Sequence, residues 1–197
     1  MTLVPSPTIA ILLLAAGSSQ RLGQPKQLVP FRNTTLIRYL GDISAASKAH
    51  DVTVVVGASA DRVREELKDL RITIKENRGW KEGIGSSIRC GLEEVSANAD
   101  AALLMLCDQP KVTTSLLDLL IDTFATTGGP IVASEYDNTV GVPALFSRKL
   151  FSELGKLTGD AGAKRVLNNH MEEIVRVSFP GGAVDIDVPA DLDHLKG

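Results

Sequence analysis

Gly17, Arg21, Gly23 and Lys26 fall within ten residues of one another, directly after the apolar run Ile9 to Leu14. The two glycines let the backbone turn its amides toward an anion with no Cβ in the way, and the two cations add positive charge. That is the composition of a loop that grips phosphate. Far downstream lie Asp108, in Cys107-Asp108-Gln109-Pro110, and the pair Asp185 and Asp187, in Asp185-Ile186-Asp187-Val188-Pro189. Carboxylates together with phosphate oxygens are the hard ligands Mg²⁺ takes. Fixed amides and cations of this kind stabilise charge on phosphoryl oxygens, so the loop is suited to hold a phosphate-bearing ligand.

Two familiar glycine-rich loops are excluded by spacing. Five residues separate Gly17 from Gly23, and Lys26 stands three further on, so the P-loop pattern G-x-x-x-x-G-K-[ST] is not met. No G-x-G-x-x-G follows the strand either, which argues against a nicotinamide dehydrogenase. His50, His170 and His194 are scattered, and Cys90 and Cys107 fit no C-x-x-C pattern. Neither a zinc site nor a disulfide framework is expected, and both cysteines read as reduced, buried thiols.

The elements that must position these residues follow from hydrophobic patterning. Ile9 to Leu14, Val52 to Val56, Ile72 to Lys75, Ala101 to Leu106 and Pro130 to Ser134 read as strands. All but the third are almost continuously apolar, as strands covered on both faces should be. Between them Leu36, Ile37, Leu40 and Ile43, then Val63 and Leu67, then Ile88, Leu92 and Val95, then Leu116 to Phe124 recur at helical spacing. Thr113 or Thr114 is placed to cap the last helix and Gly128-Gly129 to end it. Alternating β and α elements imply an α/β fold with a mostly parallel sheet. Asp108 then stands at the carboxyl end of a central strand, where ligands gather in open α/β sheets.

Past Pro130 the pattern loosens into a strand at Pro143 to Phe146, a short helix at Ala161 to Asn168 and a strand at Ile174 to Val177. No linker or repeat divides the chain. The expectation is a single domain over residues 1–197, with nucleotide-binding residues about 8–130 and acceptor-binding residues about 131–197. With 44% hydrophobic and 23% charged residues among 197, the chain has the composition of an ordinary globular domain with a substantial core. A net charge of -3 and the lack of a basic, aromatic-interleaved patch argue against a nucleic-acid partner. The apolar stretch 8–16 is too short to cross a membrane and no basic residue precedes it, so a cytoplasmic location with no membrane partner is expected.

The segment Leu14-Ala15-Ala16-Gly17-Ser18-Ser19-Gln20-Arg21-Leu22-Gly23-Gln24-Pro25-Lys26 resembles L-A-A-G-x-S-x-R-x-G-x-x-K, the signature of the MobA-like nucleotidyltransferases, which include molybdenum cofactor cytidylyl- and guanylyltransferases. The resemblance implies a three-layer, Rossmann-like fold. It also implies that Leu14, Ala15, Ala16, Gly17, Ser18 and Ser19 wrap a triphosphate, with Arg21 and Lys26 offsetting charge on it and on the leaving pyrophosphate. Cys107-Asp108-Gln109-Pro110 resembles the family's C/G-D-x-P, whose aspartate binds Mg²⁺. Asp185 to Leu192 resembles D-I-D-T-P-E-D-L, which implies Asp187 as the second metal ligand and leaves Asp185 accessory. On periodicity Asp185 and Asp187 would share one face of a strand, and Pro189 would open a helix with Asp191 in its first turn.

Asn77 to Arg89 resembles the family's N-x-x-W/Y-x-x-G-x-x-x-S loop. Asn77, whose amide both donates and accepts, is a candidate for base or ribose contact. Ser86 and Ser87 are candidates either to cap the following helix or to touch ligand. Gly57, at the end of its strand, is a place where a base would lie against backbone, and Trp80 reads as packing for a loop, with stacking on a ligand as the alternative. Gly141 to Phe146 and Gly159 to Ala163 resemble two late family segments. Lys164 stands where the family usually has arginine and loses the bidentate fork, while Asp160 reads as a helix N-cap.

The reaction expected from the resemblance is transfer of CMP from CTP to a molybdopterin-type acceptor, with Mg²⁺ as cofactor and release of pyrophosphate. The acceptor's own phosphate is the nucleophile, so no Ser/His/Asp set is needed. Arg21, Lys26 and Asp108 carry the catalysis. Guanylyl members usually read Leu-Ala-Gly-Gly where this chain has Leu14-Ala15-Ala16-Gly17, which favours cytosine. Rival expectations are guanylyl transfer, a sugar phosphate as acceptor, or a non-catalytic carrier that hands the cofactor to a molybdenum hydroxylase by transient contact.

Overall fold

The computed structural model describes residues 6–195 of the chain. In chain order the regular elements are β1 (Ile9–Ala15), the short hairpin β2 (Pro30–Phe31) and β3 (Thr34–Thr35), α1 (Leu36–Ala45), β4 (Asp51–Val56), α2 (Ala60–Leu67), β5 (Thr73–Glu76), α3 (Ile84–Leu92) and β6 (Ala101–Leu106). They continue with α4 (Thr114–Thr127), β7 (Ile131–Tyr136), β8 (Thr139–Ser147), α5 (Phe151–Leu154), α6 (Ala163–Asn169) and β9 (Ile174–Ser178). Seven of the strands form one sheet in the order β5-β4-β1-β6-β8-β7-β9. β8 alone runs against its neighbours in that sheet.

β1 is buried along its whole length because both of its faces are covered. Ile9, Ile11 and Leu13 pack with the apolar faces of α1, α2 and α4, whereas Leu12 and Leu14 pack with Ile88 of α3, Leu154 of α5 and Val166 and Leu167 of α6. A strand alternates its side chains between two sides, so a strand between two helical layers has no polar position to spare. The α/β expectation holds as a three-layer sandwich around a mostly parallel sheet. No helix of the described residues is long and apolar enough to cross a membrane.

Several local expectations are met and others are corrected. The Thr113 hydroxyl accepts from the Leu116 amide, and Gly128 closes α4 in the left-handed region at φ 61°. α3, by contrast, begins after Gly83, whose φ of 103° suits glycine, so Ser86 and Ser87 lie inside the helix and cap nothing. α6 likewise begins after Gly162, and Asp160 is not its cap. The late strand is longer than expected, starting at Thr139, with a bulge opposite Ala133 and Ser134. Residues 184–188 form no strand. Both cysteines are free, but only Cys107 is buried; Cys90 is partly exposed.

His170 ties the end of α6 to α5, with Nδ1 bonded to Glu173 Oε1 at 2.7 Å and Nε2 to Glu153 Oε2 at 2.8 Å. The hydrogen bonds to Glu173 and then Glu153 raise its pKa above the ordinary value of 6.5. A raised folded-state pKa stabilises the fold fully below the unfolded value and loses that contribution as pH rises through the folded value. Melting temperatures measured from pH 5 to 9 should show this decline, and Glu173→Gln should flatten it; an unchanged profile in that variant would remove His170 from the account.

Candidate nucleotide site

β1 lies between β4 on one side and β6 on the other, so the chain leaves β1 in one direction and returns to its far side. The crevice at the carboxyl ends of β1 and β6 is thus the switch point where α/β sheets bind ligands. Register pairs Leu14 with Leu106, and the Cys107 amide donates to Leu14 O at 3.2 Å. The glycine-rich loop after β1 and Asp108 after β6 therefore emerge side by side. The loop is folded by Ser19 at φ 54° and Gly23 at φ 74°. Ser19 Oγ accepts the Lys26 amide at 3.0 Å, which closes the loop and fixes where Lys26 starts.

From there the Lys26 ammonium donates to Asp108 Oδ2 at 3.0 Å and Asp187 Oδ1 at 3.2 Å. The Arg21 guanidinium, largely exposed, pairs with the other oxygen of Asp187. Asp187 reaches this place through the coil of residues 184–188, not along a strand. Ile186 is fully buried in the core, and its amide donates to Asp108 O at 3.0 Å. The Asp191 carboxylate then accepts the Asp187 and Val188 amides, each at 2.8 Å. A backbone clip, an apolar anchor and a local turn bring residues 79 positions apart within reach of one ammonium.

Electrostatics follow from that convergence. Burial works against the charge on Lys26, but attraction and hydrogen bonding to Asp108 outweigh it, and the pKa is raised. Burial, and then the Asp108 charge, push the Cys107 thiol up to about 12, so it is a neutral packing group and not a nucleophile. Desolvation, with Asp108 and Asp187 nearby, raises Asp185.

The donor set fits a hard cation. Asp108 Oδ1 is buried with no hydrogen-bond partner, an uncompensated lone pair on a carboxylate already facing the site. Among the described residues no group of three or more His, Cys, Asp or Glu side chains is arranged to hold a metal. The chain offers two carboxylates, and a bound ion would complete its shell with water and phosphate, which is how Mg²⁺ is usually held.

A cavity of about 840 Å³ opens over these groups. Leu14, Ala16, Gly17, Ser18, Ser19, Arg21, Lys26, Asp108 and Asp187 line it; Ala15, Gly57, Asn77 and Ser86 do not. Asn77 is committed elsewhere. Its amide donates to Ser86 Oγ at 2.8 Å and Ser87 Oγ at 3.1 Å, and its oxygen accepts the Gly79 amide at 2.9 Å, which ties the end of β5 to α3. Gly57 faces protein: a Cβ there would stand 2.6 Å from Ala16 O and 2.9 Å from the Trp80 Cβ. Gln27, Trp80, Lys81, Ser87 and Asp160 also line the cavity. Of these, Lys81 and Gln27 were overlooked in the sequence, although each directly follows a singled-out residue, Trp80 and Lys26.

The fold and its crevice thus define an α/β nucleotide-binding protein with an anion loop and two carboxylates. Residues 11–174 match the model of the MobA-like NTP transferase domain, and the chain belongs to that family of nucleotidyltransferases. Over 202 positions it is 28% identical to nicotine blue oxidoreductase of Paenarthrobacter nicotinovorans, covering 96% of this chain and 97% of that protein. It is 26% identical to a probable molybdenum cofactor guanylyltransferase of Bacillus mycoides over 70% of this chain and 62% of the other. Among solved structures it resembles Rv0371c of Mycobacterium tuberculosis H37Rv, with a TM-score of 0.84 and 31% identity over 97% of this chain and 98% of the other. A second structure of that protein is a complex with manganese (TM-score 0.78, 30% identity, covering 95% of this chain and 97% of the other).

Proposed function

We propose that the chain is a Mg²⁺-dependent cytidylyltransferase that moves CMP from CTP to a molybdopterin-type acceptor carrying molybdenum, with residues 8–130 serving the nucleotide and 131–197 the acceptor. The observation that carries it is the meeting of Lys26, Asp108 and Asp187 at the open end of the glycine-rich loop, inside one cavity.

In this reading the loop amides around Ala16 to Ser19 receive triphosphate oxygens, and Lys26 and Arg21 neutralise charge on the triphosphate and the departing pyrophosphate. Asp108 and Asp187 would hold Mg²⁺, which supplies charge neutralisation and alignment at the reacting phosphate when bound. An oxygen of the acceptor's terminal phosphate, already anionic at neutral pH, attacks the α-phosphorus in line. The bond to the bridging oxygen breaks and pyrophosphate leaves. The protein's contribution is alignment and fixed charge, and no side chain forms a covalent intermediate. Asn77, Ser86 and Gly57 act behind the cavity wall, holding α3 and Ala16 in place.

Base choice in this reading rests on Ala16, which lines the cavity and whose methyl would crowd a purine. One such group is worth about 1 to 3 kcal/mol, on the order of tenfold to two-hundredfold in kcat/KM. A pyrophosphate-release assay with CTP, GTP, ATP and UTP plus the molybdenum cofactor should show CTP preferred by that margin. Release with GTP alone would overturn the cytidylyl assignment.

A further inference from the structure

The mechanism above leaves unused a buried side chain against the loop. Gln27 has no exposed surface, and its Nε2 donates to two loop carbonyls, Ala15 O and Gly17 O, each at 2.8 Å. The orientation of its amide is fixed by chemistry, since the opposite placement would set a carbonyl oxygen against two others. Its Oε1 is buried and bonded to nothing among the described residues, although Gln27 lines the cavity. A buried amide with an unmet oxygen calls for a physical reason, and here the satisfied half offers one.

The task follows from peptide geometry. In a trans peptide the carbonyl and the following N–H point in opposite directions. The cis bond of the described chain lies elsewhere, at Val142-Pro143. Drawing the Gly17 carbonyl inward onto Gln27 therefore turns the Ser18 N–H outward. Among the described residues no acceptor takes the Gly17, Ser18 or Ser19 amides. Gly17 meets nothing within 4 Å of an added Cβ, so that side of the loop is open space. One residue earlier, Lys26 is already pinned through its own amide to Ser19 Oγ, so one short segment holds the loop at both ends.

We propose that Gln27 is a positioning residue for nucleotidyl transfer, a latch that presets the loop's amides for the triphosphate. This rests on the nucleotidyl-transfer reading. The latch acts on the loop before ligand arrives, so it contributes to triphosphate affinity and hardly at all to the nucleoside.

The test uses Gln27→Met, which keeps the length and removes the donor. Titrating CTP with Mg²⁺, followed through Trp80, the single tryptophan and a lining residue of the same cavity, should show affinity weakened on the order of tenfold to a hundredfold. Cytidine affinity should be unchanged, and KM for CTP should rise while kcat stays within about threefold. Without ligand, the Gly17 and Ser18 amide resonances should move. Should Gln27→Met not fold, Gln27→Asn, an amide one methylene too short to reach both carbonyls, is read in the same titration. Native-like CTP affinity in a folded variant, or a loss shared equally by cytidine, overturns the latch. A native protein that binds none of CTP, GTP, ATP and UTP overturns the transfer reading instead, and the apo resonances still decide whether Gln27 sets the loop; one that binds GTP in place of CTP overturns the cytidylyl assignment, and the latch is then read with GTP against guanosine.

Discussion

Asp108→Asn should lower turnover by about a thousandfold or more while leaving the protein folded and close to its native stability. A single well-placed electrostatic group is commonly worth about 10²- to 10³-fold, and Asp108 has two roles in the proposed site, as metal ligand and as partner of Lys26. The stability side is less obvious. Asp108 carries a buried, unpartnered oxygen, and an unmet charged acceptor costs about 1 to 3 kcal/mol or more. Asparagine removes the charge and keeps the shape, while Lys26 retains Asp187 as an ion-pair partner. Loss of the Lys26 attraction and the smaller cost of burying a neutral amide in place of a charged carboxylate have opposite signs, so the melting temperature should stay within about 4 °C. Full turnover in the variant would remove Asp108 from the mechanism. A large loss of stability would make it a structural residue.

The contrast between Asp108 and its neighbours explains what was legible in the sequence. β1 and β6 are apolar throughout because the sheet is covered on both faces, and a residue just past such a strand has its place fixed by the strand. The phosphate loop was legible because glycine at fixed points after a strand has few other uses. Asp185 to Asp187 alternate in sequence as a strand would, yet among the described residues they pair with no strand. Their position is set by Ile186 entering the core and by one hydrogen bond to Asp108 O, both tertiary facts.

Helix starts depart from the sequence pattern for a related reason. A serine before an apolar run is a fair cap, but Gly83 supplies the turn into α3 at a φ that serine avoids, and this frees Ser86 and Ser87 to receive Asn77. The hydrogen-bonding capacity that makes Asn77 a candidate is spent inside the protein. The Gln27 contacts are invisible in one dimension, since its acceptors are two carbonyls and carry no side-chain signature.

Lys26→Met should have opposite effects on metal binding and on turnover. The ammonium lies between the two carboxylates that would receive a cation, at 3.0 and 3.2 Å. Two like unit charges 4 Å apart at an effective dielectric of 20 repel by about 4 kcal/mol, so a divalent ion gains access only as Lys26 swings aside and gives up its own pairs. Much of that repulsion is avoided by the movement, which leaves an expected gain of roughly tenfold in Mn²⁺ affinity for the variant. When a triphosphate is present, Lys26 has a new anion to meet, and the competition disappears. Metal and nucleotide should consequently bind the native protein cooperatively, each raising the affinity of the other by the same factor. In Lys26→Met that coupling should shrink even as metal alone binds better, and turnover should fall by about 10² to 10³ because charge on the leaving pyrophosphate is no longer offset. Electron paramagnetic resonance titration of Mn²⁺, with and without CTP, measures both quantities directly. Weaker Mn²⁺ binding by the variant in the absence of CTP would show that Lys26 supports the two aspartates and does not compete for them.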